Sequence, residues 1–183
     1  MCGWLSMLRP ELSIALVSLA AVIAMMLAEL KRSRTNERVL RQRGAVEPAG
    51  DVYRALALVY PGMFVVMAAE GAIAGPSPDV LLLAGFIVFA TAKVLKLWAV
   101  MTLGQRWSYR VLVLPGVPLV ATGPYAYLRH PNYVAVFGEI AGFAMMVGAA
   151  ASGVLSLMAF ALLVRKRIAV EEKALSLYLP RTP

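Results

Sequence analysis

An apolar run, LSIALVSLAAVIAMMLAEL at residues 12–30, passes directly into a basic run, KRSRTNERVLRQRG at residues 31–44. The apolar run is close to the roughly 20 residues that a helix needs to cross a bilayer. The basic residues follow the apolar run, whereas a cleaved signal peptide carries them in front. Because lysine and arginine gather on the cytoplasmic side of membrane segments, this order predicts a spanning helix with its N-terminus outside.

The composition of the chain extends this prediction. Of the 183 residues, 61% are hydrophobic, and the mean hydropathy is +0.75, well above the range of soluble domains. Further apolar runs at residues 55–74, 80–103, 131–149 and 154–164 predict four more spans, and a polar helix follows the last one. We therefore expect an all-α, polytopic integral membrane protein with about five transmembrane helices, built as one domain over residues 1–183.

Five spans also account for the formal charge of +8. Of the 18 lysines and arginines, all except Arg9 then lie on one side of the membrane, as cytoplasmic residues do. This predicts a cytoplasmic C-terminus. Anionic lipid headgroups are a sufficient partner for the charge, so we expect no nucleic-acid partner. Lys93 and Lys96, at the inner end of the third span, are expected to snorkel to the membrane surface.

Cysteine usage limits the chemistry further. Cys2 is the only cysteine, so the chain has no internal disulfide and no cysteine–histidine pattern that would hold a metal. We interpret Cys2 as an inert terminal residue and expect no metal site.

A long polar segment, GQRWSYRVLVLPGVPLVATGPYAYLRHPN at residues 104–132, separates the third and fourth spans. Its prolines and glycines predict a non-helical loop. Irregular backbone at membrane depth must be buried in protein or line a cavity, and a loop of this length is more often functional than a simple connection.

The end of this loop predicts a helix start. In RHPNY, Pro131 suits the first helical position and His130 the N-cap. The free N–H groups of a helix start attract a carboxylate or phosphate. Two interpretations remain open: a site for an anionic ligand, or a well-capped helix with tyrosines at the membrane surface.

Two further charged positions are candidates for function. Glu139 lies inside the fourth span, where a carboxyl group is costly and is a functional candidate by default. The alternative is a packing role, with a buried hydroxyl or a lysine of the third span as its partner. Arg167 and Glu171 are four residues apart and share a helix face, which is also the spacing of an ordinary surface ion pair.

These elements occur in a specific order. A loop ending in GPYxxxRHPNY (residues 123–133), an apolar hairpin and then RxxxEE (residues 167–172) resemble the isoprenylcysteine carboxyl methyltransferase family over residues 104–175. Members of that family are integral membrane enzymes that use S-adenosylmethionine. The segments QRWSYRVLVLPGVPLVATGPY (residues 105–125) and HPNYVAVFGEIAG (residues 130–142) resemble bacterial members, some of which are similar to methyltransferases of alkylpyrones or alkylresorcinols. With the spans above, residues 1–103 hold three spans and the basic linker. Residues 104–183 then hold a cytoplasmic cofactor-binding loop, the hairpin and the tail helix.

The resemblance implies a cofactor site residue by residue. Its expected contacts come from the segment before the GPY turn, the turn itself, the RHPNY motif and the tail helix: Val117, Pro118, Leu119, Val120, Tyr125, His130, Pro131, Asn132, Tyr133 and Glu171. It also implies that Arg167 faces a carboxylate of the substrate. Many prenylcysteine enzymes have histidine where this chain has Val117, so contacts there are expected to be apolar or from the backbone. The tail SLYLPRTP is shorter than the usual aromatic one.

The resemblance implies an O-methyltransferase whose cofactor enters from the cytoplasm and whose lipophilic or prenylated substrate enters from the bilayer. The chain has no GxGxxG after a strand, so it lacks the soluble nucleotide-binding pattern. Tyrosine rings would hold the sulfonium cation, and Arg167 would orient an acceptor carboxylate. Toward a phenol or enol, Glu139 is a candidate general base.

Other functions remain open from the sequence. One is O-methylation of alkylpyrone or alkylresorcinol lipids. A second is a phospholipid N-methyltransferase, or a membrane reductase with a nicotinamide cofactor. A third is a non-catalytic membrane scaffold. The expected location is a bacterial inner or plasma membrane, with the active site on the cytoplasmic side.

Overall fold

The protein is described here by a computed structural model that covers residues 10–75 and 77–178, with side chains from residue 14 onward. Five α-helices make up most of the described chain: α1 (Pro10–Gln42), α2 (Tyr53–Ala74), α3 (Asp79–Leu103), α4 (Pro131–Val147) and α5 (Ala150–Tyr178). The described residues also contain two short 3₁₀ helices, Gly104–Arg106 and Gly123–Ala126, and an isolated bridge between Val46 and Val113. The all-α prediction is therefore confirmed for the described chain. The predictions for Cys2, Arg9 and the last residues of the tail lie outside it.

Three helices are long and apolar enough to cross a membrane: Ile14–Gln42, Tyr53–Ala74 and Asp79–Arg106. This bears out an integral membrane protein. Helix α4 has 17 residues and α5 has 29, of which the apolar part ends before Arg165. At 1.5 Å per residue α4 is about 26 Å long, shorter than a hydrocarbon core of about 30 Å. The number of five spans stays a prediction.

The basic run after the first span is helical as far as Gln42, so α1 is longer than its apolar part. Helix α1 continues through this run to Gln42, because lysine, arginine and glutamate are good helix formers and one face of the run is buried. On that face, Ser33 accepts the backbone N–H of Tyr109 at 2.8 Å. The amide of Asn36 donates to the carbonyl of Trp107 at 2.8 Å. The extension of α1 therefore holds the loop between α3 and α4.

The hairpin between α4 and α5 is tighter than the sequence predicted. Gly148 ends α4 in the left-handed region, with φ of 74°, and α5 begins at Ala150. Helix α5 then continues without a break to Tyr178, so the predicted fifth span and the polar tail helix are one helix. Glu70 of α2 caps its start by accepting the backbone N–H groups of Ala151 and Ser152.

Helices α3 and α4 approach closely through small residues. A Cβ on Gly142 would lie 2.6 Å from the backbone nitrogen of Phe89 and 2.8 Å from the carbonyl oxygen of Gly85. A Cβ on Gly138 would lie 2.8 Å from that of Ala92. Small residues at this spacing are the usual means by which membrane helices pack closely. This contact fixes α4, and with it the start of the predicted cofactor site, against α3.

Replacing Gly142 by alanine is expected to destabilise the protein by about 1–3 kcal/mol, because the new methyl group overlaps backbone atoms that cannot turn aside. Thermal unfolding in detergent, followed by circular dichroism, measures the change. Gly62→Ala in α2 is the matched control, since a Cβ there meets nothing within 4 Å. Equal unfolding temperatures for the two variants would contradict the close contact.

Candidate functional site

A cavity of about 990 Å³ lies among α1, α2, α5, the start of α4 and the loop between α3 and α4. Its polar end is formed by the RHPNY motif and by Arg167 and Glu171. Its apolar end is formed by side chains of the membrane-spanning helices: Ile23, Met26, Leu27, Leu30, Leu56, Phe160 and Val164. The cavity is therefore polar at one end and apolar at the other.

The predicted site residues gather around this cavity, with one exception. Those that line it are Val117, Pro118, Leu119, Val120, Tyr125, His130, Pro131, Asn132, Tyr133, Arg167 and Glu171. Glu139 is not among the lining residues and lies fully buried behind the wall. Their roles in binding stay predictions, but residues from a loop and two helices do meet at one place.

The start of α4 presents an unsatisfied polar atom at the cavity. Pro131 is the first helical residue and His130 occupies the N-cap position without a side-chain cap hydrogen bond, so the predicted helix start is confirmed. The side-chain oxygen of Asn132 is buried and has no hydrogen-bond partner among the described residues. Since buried polar atoms are normally paired, this oxygen suits a donor group from a ligand.

The hydroxyl of Tyr133 joins the motif to the tail helix. It donates to Glu171 at 2.9 Å and accepts from Nε of Arg167 at 2.9 Å. The ring of His130 stacks on Tyr133 at 5.3 Å between ring centroids. Arg167 and Glu171 thus both hydrogen-bond the hydroxyl of Tyr133, which differs from an ordinary ion pair on the surface of a helix.

Arg167 is buried, and its guanidinium already has protein partners. It forms an ion pair with Asp51 at 3.2 Å, and the two side chains are only 7% and 5% exposed. It also donates to the carbonyl of Tyr109. Asp51 in turn accepts the backbone N–H groups of Tyr53 at 3.1 Å and Val111 at 3.0 Å. The positive charge of Arg167 is therefore compensated within the protein.

Sequence reasoning missed Asp51 and Tyr109. Asp51 stands two residues before α2, and its carboxylate accepts the backbone N–H of Tyr53, a local turn that aspartate favours and that would have marked it as structural. Nothing local indicates that it also meets Arg167, which is 116 positions away. Tyr109 lies in the long loop, and no sequence pattern indicates which partners its carbonyl and hydroxyl have.

Two tyrosines of the loop, Tyr109 and Tyr125, have a raised pKa. Burial raises the pKa of the Tyr125 phenol well above its usual value, and the nearby Glu171 carboxylate raises it further. Burial likewise raises the pKa of Tyr109, and the Glu29 carboxylate that accepts its hydrogen adds to the shift. Both phenols are therefore uncharged at neutral pH, and the faces of their rings are available for cation–π contacts.

Glu139 is held in a network of charges. Its carboxylate accepts the hydroxyl of Tyr60 and lies 3.0 Å from Nζ of Lys93 and 3.3 Å from Nζ of Lys96. These are the partners expected of a packing role, a hydroxyl and lysines of α3. Lys96 is only 2% exposed, so the prediction that it snorkels to the membrane surface was wrong. The role of Glu139 as a base stays a prediction.

The sequence of this chain matches a known protein family. The model of the Isoprenylcysteine carboxyl methyltransferase (ICMT) family matches residues 83–177, which include most of α3, the loop, α4 and nearly all of α5. Uncharacterized protein YpbQ of Bacillus subtilis (strain 168) is 31% identical over 160 residues, covering 87% of this chain and 95% of that protein. An uncharacterized protein of Haemophilus influenzae is 21% identical over 167 residues, covering 91% and 97%. The chain therefore belongs to the isoprenylcysteine carboxyl methyltransferase family, a family of membrane methyltransferases.

Proposed function

We propose that this protein is a membrane-embedded, S-adenosylmethionine-dependent O-methyltransferase that acts on a lipophilic acceptor, as isoprenylcysteine carboxyl methyltransferases do. One observation carries the proposal: the residues of the family motifs line one cavity that is polar at the loop and apolar between the spans. We further propose that residues 1–183 form one domain with five spans. The N-terminus is outside, and the C-terminus and active site are cytoplasmic.

The polar end of the cavity fits the proposed cofactor. The start of α4 would attract its carboxylate, and the unpaired oxygen of Asn132 would accept from its amine. The rings of Tyr125 and Tyr133 would face the sulfonium cation. Glu171 would accept from an amine or ribose hydroxyl. Residues 117–120 would cover the adenosine with apolar and backbone contacts.

The apolar end supports a lipid acceptor that enters from the bilayer. Leu27 on α1 and Ala57 on α2 line the cavity and are exposed. An alkyl chain would therefore pass between these two helices into the cavity. Pro61, which also lines the cavity, removes one backbone hydrogen bond from α2 near this opening.

The protein itself would align the two reactants and exclude water from them. When bound, S-adenosylmethionine supplies an electrophilic methyl group, so the acceptor oxygen gains a carbon–oxygen bond while the carbon–sulfur bond breaks and sulfur keeps the electron pair. The protein would hold the acceptor oxygen in line with that carbon and exclude water from it. A carboxylate acceptor arrives without a proton, and a hydroxyl acceptor would release its proton to water at the cytoplasmic mouth. Arg167 is the residue proposed to orient the acceptor.

The ion pair between Asp51 and Arg167 favours a second candidate, O-methylation of a hydroxylated lipid such as an alkylpyrone or alkylresorcinol. An acceptor carboxylate would have to displace Asp51 or sit beside its charge. A hydroxyl group needs no uncompensated cation. Both candidates share the cofactor and the lipid chain, and they differ only in the group that receives the methyl.

Methyl transfer can be tested with purified protein, tritiated S-adenosylmethionine and two lipids, N-acetyl farnesylcysteine and pentadecylresorcinol. We expect tritium in one extracted lipid, and the lipid that carries it separates the two candidates. Binding of a reduced nicotinamide cofactor in place of S-adenosylmethionine would support a reductase. Binding of neither cofactor by folded protein would support a scaffold and contradict the proposal.

A further inference from the structure

Four charged side chains form a closed ring beside the cavity, which we call the buried charge ring: Glu139 and Lys96, which are buried, and Glu29 and Lys93, which are half-buried. Lys93 lies 3.1 Å from Glu29 and 3.0 Å from Glu139. Lys96 lies 2.7 Å from Glu29 and 3.3 Å from Glu139. Each cation therefore contacts both anions, and the ring joins α1, α3 and α4 with no net charge.

The ring is a costly way to hold three helices together. Well-packed apolar residues are often as stabilising as a buried ion pair, or more so, because the charges lose their hydration. Charged groups inside membrane segments usually mark a functional site. The cavity lies beside the ring, and a ligand bound there could use polar groups that the ring holds in place.

Three residues of this network line the cavity: Tyr60, Lys96 and Tyr109, whose hydroxyl donates to Glu29 at 2.8 Å. Tyr60 donates its hydroxyl to Glu139 and lines the cavity, so its oxygen retains lone pairs that can accept from a ligand. Lys96 also lines the cavity, and its two carboxylate partners take two of its three N–H groups. Tyr60 and Lys96 therefore bring one acceptor and one donor to the wall, beside the hydroxyl of Tyr109.

The position of this pair is set by α4. Asn132, at the polar end, and Glu139, which holds Tyr60, are seven residues apart on the same helix. Two helical turns separate them, or about 11 Å along the axis. The methionine part of the cofactor would occupy the end of this interval at Asn132, and the acceptor headgroup would occupy the end at the ring.

We propose that the buried charge ring positions the acceptor by a second oxygen on its headgroup, held by Tyr60 and Lys96. This inference rests on the proposed methyltransferase function and narrows its acceptor to a lipid with two oxygens on its headgroup. Glu139 is then a positioning residue that acts through Tyr60 and Lys96. Both lysines of the ring contact its carboxylate, so the ring already uses the charge of Glu139 to balance Lys93 and Lys96.

The test compares two lipids with the same chain, pentadecylresorcinol and pentadecylphenol, which differ by one hydroxyl. We expect the wild-type protein to prefer the resorcinol by about tenfold or more in kcat/KM, because a site built for a hydroxyl rejects the analogue without it. Tyr60→Phe should remove this preference while S-adenosylhomocysteine binds as before. Tyr127→Phe is the matched control, since Tyr127 is 84% exposed and does not line the cavity.

Several outcomes would overturn the inference. One is equal use of both lipids by the wild-type protein, and another is a preference that survives in Tyr60→Phe. If the protein binds S-adenosylhomocysteine but methylates neither lipid, the headgroup assignment is wrong while the cofactor site stands. If it binds no S-adenosylhomocysteine, the proposed function fails and this inference fails with it.

A second variant separates positioning from base catalysis. Glu139→Gln combined with Lys93→Met removes one charge of each sign and keeps the ring neutral. If Glu139 positions the acceptor, the preference for the resorcinol should fall, and the rise of the rate with pH should stay where it is in the wild-type protein. If Glu139 is the base, kcat should fall for both lipids and the rise of the rate with pH should shift.

Discussion

Replacing Glu171 by alanine is expected to weaken the binding of S-adenosylhomocysteine by roughly 10- to 100-fold, the loss that follows removal of a charged hydrogen-bond partner. Glu171 lies at the polar end of the cavity and already accepts the hydroxyl of Tyr133. Its carboxylate would also accept from an amine or ribose hydroxyl of the ligand. Its removal therefore takes away a ligand contact and also the hydrogen bond that holds the side chain of Tyr133 in place.

His130→Ala is expected to have a smaller effect in the same direction, roughly two- to tenfold, because it removes the ring stacked on Tyr133. Calorimetric titration of S-adenosylhomocysteine into protein in detergent measures both changes. Asp79→Ala is the control, since Asp79 is exposed at the start of α3 and away from the cavity. Affinities that equal the wild-type value in both variants would mean that the cofactor site lies elsewhere.

The polar end of the site was predictable because its signals are local. Pro131 and His130 mark the start of α4 through backbone constraints that hold in any fold. Arg167 and Glu171 are one helical turn apart, so the sequence places them on one face. The resemblance then joined these two segments, and the cavity has both of them in its wall.

The extension of α1 was missed for a physical reason. Hydropathy marks where a helix leaves the lipid, and it carries no information on where the helix ends. What keeps residues 31–42 helical is the burial of Ser33, Asn36 and Leu40 against other parts of the fold. In the sequence these three residues are spaced three and four apart, the period of one helix face, but the basic residues around them hide it.

The buried charge ring shows a different limit. Lys93 and Lys96 are three residues apart and share a face of α3, so a common partner was foreseeable. Which helices supply that partner depends on how each span is rotated about its axis. The hydroxyl of Tyr60 meets Glu139 across 79 positions of sequence, and single-residue properties do not encode such a contact.

Replacing Asp51 by alanine is expected to destabilise the protein by about 3–5 kcal/mol, the cost of leaving one member of a buried ion pair uncompensated. Asp51 and Arg167 are both almost completely buried, and Asp51 also satisfies the backbone N–H groups of Tyr53 and Val111. The change therefore strands a guanidinium charge and two backbone donors. Unfolding of detergent-solubilised protein measures the loss, and coupling between the partners is measured by adding Arg167→Met.

The double variant Asp51→Ala with Arg167→Met should be more stable than Asp51→Ala alone, because it removes the stranded charge. Arg41→Ala is the control for an exposed ion pair: Arg41 is 49% exposed, and its bond to Glu47 should contribute less than about 1 kcal/mol. If Asp51→Ala is no more costly than Arg41→Ala, the guanidinium of Arg167 is solvated, and the ion pair does not limit what the site can bind.

The same variant also tests what Arg167 does for the acceptor. In the folded fraction of Asp51→Ala the charge of Arg167 has lost its carboxylate partner, so an acceptor carboxylate could take the place of Asp51. Use of N-acetyl farnesylcysteine should then rise relative to pentadecylresorcinol. If Asp51→Ala leaves the ratio of the two lipids unchanged, Arg167 does not touch the acceptor, and its role is to hold Tyr133 and the loop around the cofactor.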